Sequence, residues 1–413
     1  MLSSHHPLPT FVILSALFWL GAAPSLAQTS VEAFRGVLSN QAAFDADDLA
    51  AFDQDGMVAK LLPVKDKREV AVCGVVRLPV PPEVFLQFTR DNVAQQNNRA
   101  ILTIGKFSNP PTIEDLETLT LDTRDIEDLK RCTVEDCNLK MSAAMIERIH
   151  NEVDWAAPDY AVQATLVFRQ MLLDYVRDYL ARGAAALMKY SDRSHGVSID
   201  EEQRSLLDAS IYFNQFAPEF TKYVMSFPRA ELAGAENSIS WAKIRFGLKP
   251  VVIITHVVIY SRPANSAAPQ VLVASKQIYA DHYFDSSLAL SAFISLPATG
   301  ANRDSYLLYT NRARADALGG LFGGLKRSLV QNEAIGSLQA ILQEQKLKME
   351  AISKAQSGSP NRPGTNVNEQ APRWWGQSRF GGIHLWWWLL LIVAIVGLFW
   401  LIRRSSRQRG SET

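Results

Sequence analysis

Leu385 to Ile402 (LWWWLLLIVAIVGLFWLI) is a run of 18 residues without a charge. A helix rising about 1.5 Å per residue nearly crosses a hydrocarbon core of about 30 Å at that length, and Ile383 and His384 extend it. Trp386, Trp387 and Trp388 stand at one border and Trp400 at the other, where indoles favour the interface. Arg403, Arg404, Arg407 and Arg409 follow at once, and a basic flank stays on the cytoplasmic side. A helix of a soluble core is apolar on one stripe only, so a run apolar all round beside an arginine cluster does not fit that alternative. The expectation is one transmembrane helix over 383–402 with a cytoplasmic basic tail over 403–413.

The other end agrees. Phe11 to Ala23 is a shorter apolar run, followed by Pro24-Ser25-Leu26-Ala27, whose small residues suit a signal-peptidase site. Residues 1–27 read as a signal peptide; because no Lys or Arg precedes the apolar run, an uncleaved anchor is the alternative. Residues 356–382, rich in Ser, Pro, Asn, Gln and Gly, read as a flexible tether. The implied topology is a single-pass protein of a bacterial inner membrane, with the body 28–355 in the periplasm.

Charge and cysteines bound that body. Lys+Arg and Asp+Glu both number 42, and no dense basic face stands out, which argues against nucleic-acid binding. Cys132 and Cys137 flank Thr-Val-Glu-Asp, a turn-forming interval that in an oxidising compartment suits a disulfide, with two free thiols as the alternative. Cys73 lies in an apolar run and reads as a small core residue. Thr112 to Asp136 holds nine acidic residues against three basic ones. It lacks the spacing of a calcium loop and reads as a solvated acidic face.

Periodicity sorts the body into an α+β domain. Glu69 to Leu78 reads as a buried strand, Pro81-Pro82-Glu83 opens a short helix through Phe88, and Ala100 to Lys106 reads as a second strand. Met141 to Phe227 is helical in character, with a capping box at Ser198-Ile-Asp-Glu201. The period then changes. Trp241 to Tyr260, Val271 to Ala280, Ser287 to Leu296 and Tyr306 to Arg312 form four strand candidates in a row, implying an antiparallel meander. A long helix over about Asp316 to Lys354 closes the domain, with Leu318, Leu321, Phe322, Leu325, Leu329, Ile335, Leu338 and Leu342 as one apolar stripe.

Signatures of catalysis, metals and cofactors are wanting: there is no G-x-S-x-G, H-E-x-x-H, G-x-G-x-x-G or paired C-x-x-C. Gly319, Gly320, Gly323 and Gly324 recur at four-residue spacing, which either lets a sheet approach closely or leaves a cavity wall. His256 shares a strand face with Ile254, Val258 and Tyr260, as a hydrogen-bonded core residue or a base. Lys276, Tyr279, Asp281, His282, Tyr283 and Asp285 crowd one hairpin, either as the rim of a polar pocket or as a solvated turn.

The segment VVRLPVPPEVFLQFTRD, with the meander and long last helix, resembles the helix-grip layout of the START and polyketide-cyclase-like superfamily. The likeness covers roughly residues 69–107 and 240–350, and the helical stretch 141–227 departs from it as an insertion. The chain also resembles exported, membrane-anchored bacterial proteins, a likeness that supplies no activity. The superfamily resemblance implies a curved sheet wrapped on the last helix and a hydrophobic cavity between them. Its function would be to bind an apolar ligand such as a lipid, at His256, Tyr260, Tyr279, Gly320, Gly323 and Gly324. An envelope interaction protein that docks a partner through the helical insertion is the alternative. A hydrolase or cyclase using His256 or His282 trails both, for want of a readable nucleophile–base pair.

Overall fold

The computed structural model describes residues 34–357 except 37, 41–42, 93–99, 247–248, 263–268, 296–304 and 319–322. The expected signal peptide, transmembrane helix and cytoplasmic tail lie outside the described residues, as does the expected tether from 358 onward. Among the described residues no helix is long and apolar enough to cross a membrane.

The body is α+β, built on one antiparallel sheet of eight strands. In chain order these are β1 (Met57–Leu61), β2 (Glu69–Arg77), β3 (Ile101–Lys106), β6 (Ala235–Phe246), β7 (Lys249–Ser261), β8 (Val271–Ala280), β9 (Phe284–Ser295) and β10 (Ser305–Ala315). The short strands β4 (Lys189–Tyr190) and β5 (Val197–Ser198) pair apart from it. The strand order is β1-β2-β10-β9-β8-β7-β6-β3. Strands β6 to β10 follow one another as antiparallel neighbours, β2 pairs with β10 at one flank, and the connection from β2 to β3 passes from that flank to the opposite edge beside β6.

Five strands, not four, make the meander. Trp241 to Tyr260 is strand-like on both faces and reads as one strand, but it divides into β6 and β7, paired from Ala235↔Tyr260 to Phe246↔Lys249. The unbroken apolar runs Val251 to Ile254 and Val257 to Ile259 of β7 carry no alternation that would separate it from the strand before it.

Helices cover both faces. On one lie α2 (Pro82–Asn92) and α9 (Gly323–Ser357), packed on Val72, Val76, Val257, Val271, Val273 and Phe293. Phe85 of α2 stacks on Phe293 with ring centroids 5.1 Å apart. Leu338 and Leu342 of α9 rest on Gly74 of β2, where an added Cβ would meet Leu342 at 2.5 Å. At Gly74, then, the sheet and last helix approach too closely to leave room for a side chain. The apolar stripe expected along α9 is interrupted: Leu338, Leu342 and Met349 are buried, but Leu329 is 48% exposed. The helix also runs to Ser357, two residues into the expected tether.

The other face carries α1 (Ala46–Asp55) and the block α3 (Thr123–Arg131), α4 (Ala143–Glu152), α5 (Tyr160–Arg182), α6 (Ile199–Asp208), α7 (Ile211–Phe216) and α8 (Pro218–Ser226). Local sequence sets their limits. Ser142 and Ser198 accept from the amides of Met145 and Glu201 as N-caps, Pro218 occupies the first turn of α8, and α5 stops at Gly183, whose φ is +61°. Two apolar clusters fill this interface, one centred on α5 with Trp241, Ile254 and Tyr279, the other on α6 to α8 with Val258, Leu272 and Leu290. Cys132 and Cys137 form the expected disulfide, with Cα atoms 4.4 Å apart, and Cys73 is a buried free thiol as expected.

Candidate functional site

The register of β7 to β10 places a strip of small side chains on the face shared with α2 and α9. Gly74 pairs with Tyr309, Tyr309 with Ser291, Ser291 with Val273 and Val273 with Ile259. One step along, Val72 pairs with Asn311, Asn311 with Ala289, Ala289 with Ser275 and Ser275 with Val257. Ala313, Ser287, Gln277 and Thr255 lie beyond. Paired residues project to the same side of a sheet, so these belong to one surface. Central strands beneath two helices should be covered, yet Thr255, Ser275, Ser287, Ala289, Ser291, Tyr309, Asn311 and Ala313 are all half-buried. Here α2 lies over β8 and β9, α9 lies over β1 and β2, and the two helices also touch each other, so the strip forms a shallow trough along the part of the sheet that they leave half-covered.

Its walls and floor differ in chemistry. Val257, Ile259, Val273, Phe85 and Phe88 are apolar and buried. On the floor, Ser287 Oγ donates to Asn311 Oδ1 at 3.2 Å. Burial pushes the Tyr309 phenol up to about 12, against a hydrogen bond from Asn311 that pulls it down. Gln277 is 4% exposed, and its Nε2 is buried without a hydrogen-bond partner.

The residues expected to line a cavity do not meet there. His256, Tyr260 and Tyr279 project from the opposite face, into the helical block. His256 Nδ1 lies 2.8 Å from Tyr179 Oη and its Nε2 lies 3.0 Å from Asn237 Oδ1. Burial pushes its pKa down to about 3, so the ring is neutral; Nε2–H donates to Asn237 and Nδ1 accepts from Tyr179. Every polar atom is satisfied, which makes this a core histidine rather than a base. Tyr260 stacks on Phe220 of α8 at 6.3 Å, and Tyr279 packs among Phe168, Tyr175 and Tyr190. Gly320 lies outside the described residues, and Gly323 and Gly324 begin α9 on the other side of the sheet.

Lys276 also points into the helical block. It is 1% exposed, bonds only weakly to Val224 O at 3.4 Å, and stands 5.7 Å over the Tyr179 ring. Burial, opposed by Asp200, lowers its pKa to about 8. The folded value lies below the ordinary value near 10.4, so the penalty is complete below pH 8 and fades as pH rises towards 10. Lys276→Met should therefore stabilise the protein at pH 7 by about 3 kcal/mol. Urea unfolding of the native sequence should show a gain in stability between pH 8 and 10, and the variant should abolish it. A variant less stable at pH 7 would show that the ammonium is better accommodated than this.

The hairpin that could be a solvated turn is instead a buried ionic centre. His282 Nε2 lies 3.1 Å from Asp125 Oδ1, and its Nδ1 lies 3.0 Å from the carbonyl of Asn138. Lys249 bridges Asp125 and Asp128 at 2.8 and 2.6 Å. Burial alone would raise Asp125, but its bonds from His282 and Lys249 hold it below the usual carboxylate range. Asp281 accepts from the amide of Val252, and burial raises its pKa to about 7. Asp125 and Asp128 thus depart from the expected solvated acidic face, while Glu114, Glu117, Glu135 and Asp136 conform to it. Potential metal-ligand atoms of Asp125, Asp281 and His282 lie within 4.8 Å of one another. The protein's own cations and amides already engage them. A surface cavity of about 230 Å³ reaches Asp125 and Lys249 from outside, lined also by Asp122, Thr123, Arg124 and Pro250.

No protein-family model matches the sequence, and comparison with curated proteins finds no match.

Proposed function

We propose that this is an exported, membrane-tethered module that binds an amphipathic, lipid-like ligand in the trough between α2 and α9. The half-buried strip of small residues in the middle of the sheet carries the reading, because a surface so central is normally filled by side chains. Apolar walls beside a polar floor suit an acyl chain with one polar group. The strand order, with α2 and α9 sharing one face, supports the helix-grip resemblance. The site lies away from Gly74, where Leu338 and Leu342 leave no space. Its lining is Val257, Val273, Ser275, Ala289, Ser291 and Asn311 rather than His256, Tyr260 and Tyr279.

The test is mass spectrometry of organic extracts from the full-length protein and from Ala289→Leu, which adds three carbons to the trough floor. The native sequence should carry lipid in near-stoichiometric amount. The variant should melt within a few degrees of it and carry at most a tenth as much. Equal lipid on both proteins, or none on either, would overturn the proposal.

A second reading has one observation in its favour. Val162 and Leu166, one turn apart on α5, are 61% and 51% exposed, beside an acidic segment. That surface suits a basic, amphipathic segment of an envelope partner. Lipid-free protein that crosslinks to one partner from Leu166 would favour this reading.

A further inference from the structure

We infer that the trough holds its ligand by a neutral, hydrogen-bond-accepting group, an ester or amide carbonyl, received by Gln277 with Thr255 and Ser275 beside it. The inference rests on the trough reading above and specifies the ligand's polar end.

Gln277 supplies the first observation. The β7–β8 register slips between Ile254 and Thr255, so that Thr255 faces Gln277 while Ile254 faces Tyr279. Ile278 is the extra residue of a bulge, a device that re-aims side chains. Lys276 is directed into the helical block, and Gln277, paired with Thr255, is directed to the trough. From the opposite side, Gln203 Nε2 donates to the carbonyls of Gln277 and Ser287 at 2.8 and 3.0 Å. These bonds fix the backbone that carries the amide. A fixed, buried N–H₂ without an acceptor is costly, and an acceptor brought by a ligand would relieve that cost.

Charge supplies the second, and it selects the acceptor. On this face, Thr255 to Ile259, Val271 to Gln277, Ser287 to Phe293 and Leu307 to Ala313 carry no ionisable cation or anion apart from the Tyr309 phenol. Lys276, Arg312 and Arg314 of the same strands project to the other side, where the two arginines pair with Glu69. Arg327, near the start of α9, donates to the carbonyls of Lys67 and Glu69. A phosphate or free carboxylate at Gln277 would be buried without a counter-charge, which is far more costly than burying a neutral carbonyl that is hydrogen-bonded. The floor therefore favours an acyl ester or amide over a fatty acid or an anionic phospholipid.

The experiment uses full-length protein in neutral detergent loaded with a fluorescent pyrene-decanoate methyl ester. Methyl oleate, oleic acid and phosphatidylglycerol are then titrated as competitors. Methyl oleate should displace the probe at a concentration at least tenfold below either anionic lipid. Gln277→Met should weaken methyl oleate about tenfold, with a melting temperature unchanged or raised, since it removes an unpartnered amide. If that variant does not fold, Thr255→Val combined with Ser275→Ala should narrow the same preference. Anionic lipids competing as well as the ester, or a preference unchanged in the variants, would overturn the carbonyl assignment and leave the trough standing. A probe that binds neither the native sequence nor any variant would overturn both.

Discussion

Glu69→Ala should destabilise the folded body by about 3–5 kcal/mol, measured as a shift in the urea midpoint. Glu69 is 2% exposed and is the shared partner of two buried arginines: Arg312 at 2.6 Å and Arg314 at 3.0 Å. Arg314 also reaches Glu202 of α6 at 2.6 Å, and Arg68 joins Asp66, Glu202 and Asp285. Lys140, from the loop before α4, reaches Asp285 at 2.8 Å. These pairs tie one end of the sheet to the helical block. Removing the carboxylate leaves two guanidinium groups desolvated with less compensation, and that loss dominates over the modest net strength of the original pair. Arg182→Ala breaks only an exposed pair with Asp178 and should leave the midpoint nearly unchanged. Equal shifts for the two variants would show that the buried network is no more than surface decoration.

Gly183→Ala should be more damaging, by at least about 4 kcal/mol, enough to prevent folding at 37 °C. Gly183 has φ +61° and ψ −126° as α5 ends, a region that L-residues with a Cβ avoid. A Cβ there would stand 1.7 Å from the carbonyl oxygen of Phe227 and 2.7 Å from its carbon. Those atoms are backbone at the junction of α8 and β6, so no side-chain rotation relieves the clash. Gly336→Ala supplies the contrast: its Cβ meets nothing within 4 Å on α9, and the variant should gain about 1 kcal/mol. Soluble Gly183→Ala with a native melting temperature would mean that the junction is looser than these distances imply.

The α+β class, strand β2, the helix opened by Pro82, the helical stretch 141–227 and the disulfide were legible because each rests on local chemistry, whereas β1, with no strong alternation in MVAKL, was not read at all. Proline at a helix start, serine at a cap and apolar alternation act over a few residues. Parity also placed His256 with Val258 and Tyr260 correctly. What parity cannot give is which layer lies above a face, and here the helical block covers the side that carries His256. The ionic centre was hidden for the same reason. Asp281, His282 and Asp285 look like a wet turn until Arg68, Asp125, Lys140 and Lys249 arrive from distant parts of the chain. The trough left only a weak trace in the sequence, Ser and Ala at alternate positions in SSLALSAF of β9. Gln277 left none, because its direction depends on a bulge set by pairing with β7.

The trough is tested most directly by thiol accessibility on the two faces of β9. Ser291→Cys should be alkylated by maleimide in lipid-stripped full-length protein, whereas Ala292→Cys, which faces the buried helical block, should remain unreactive, like native Cys73. Reloading with lipid should slow alkylation at position 291 at least tenfold. Position 291 as unreactive as position 292 in the stripped protein, or a rate there indifferent to lipid, would contradict a ligand trough between α2 and α9.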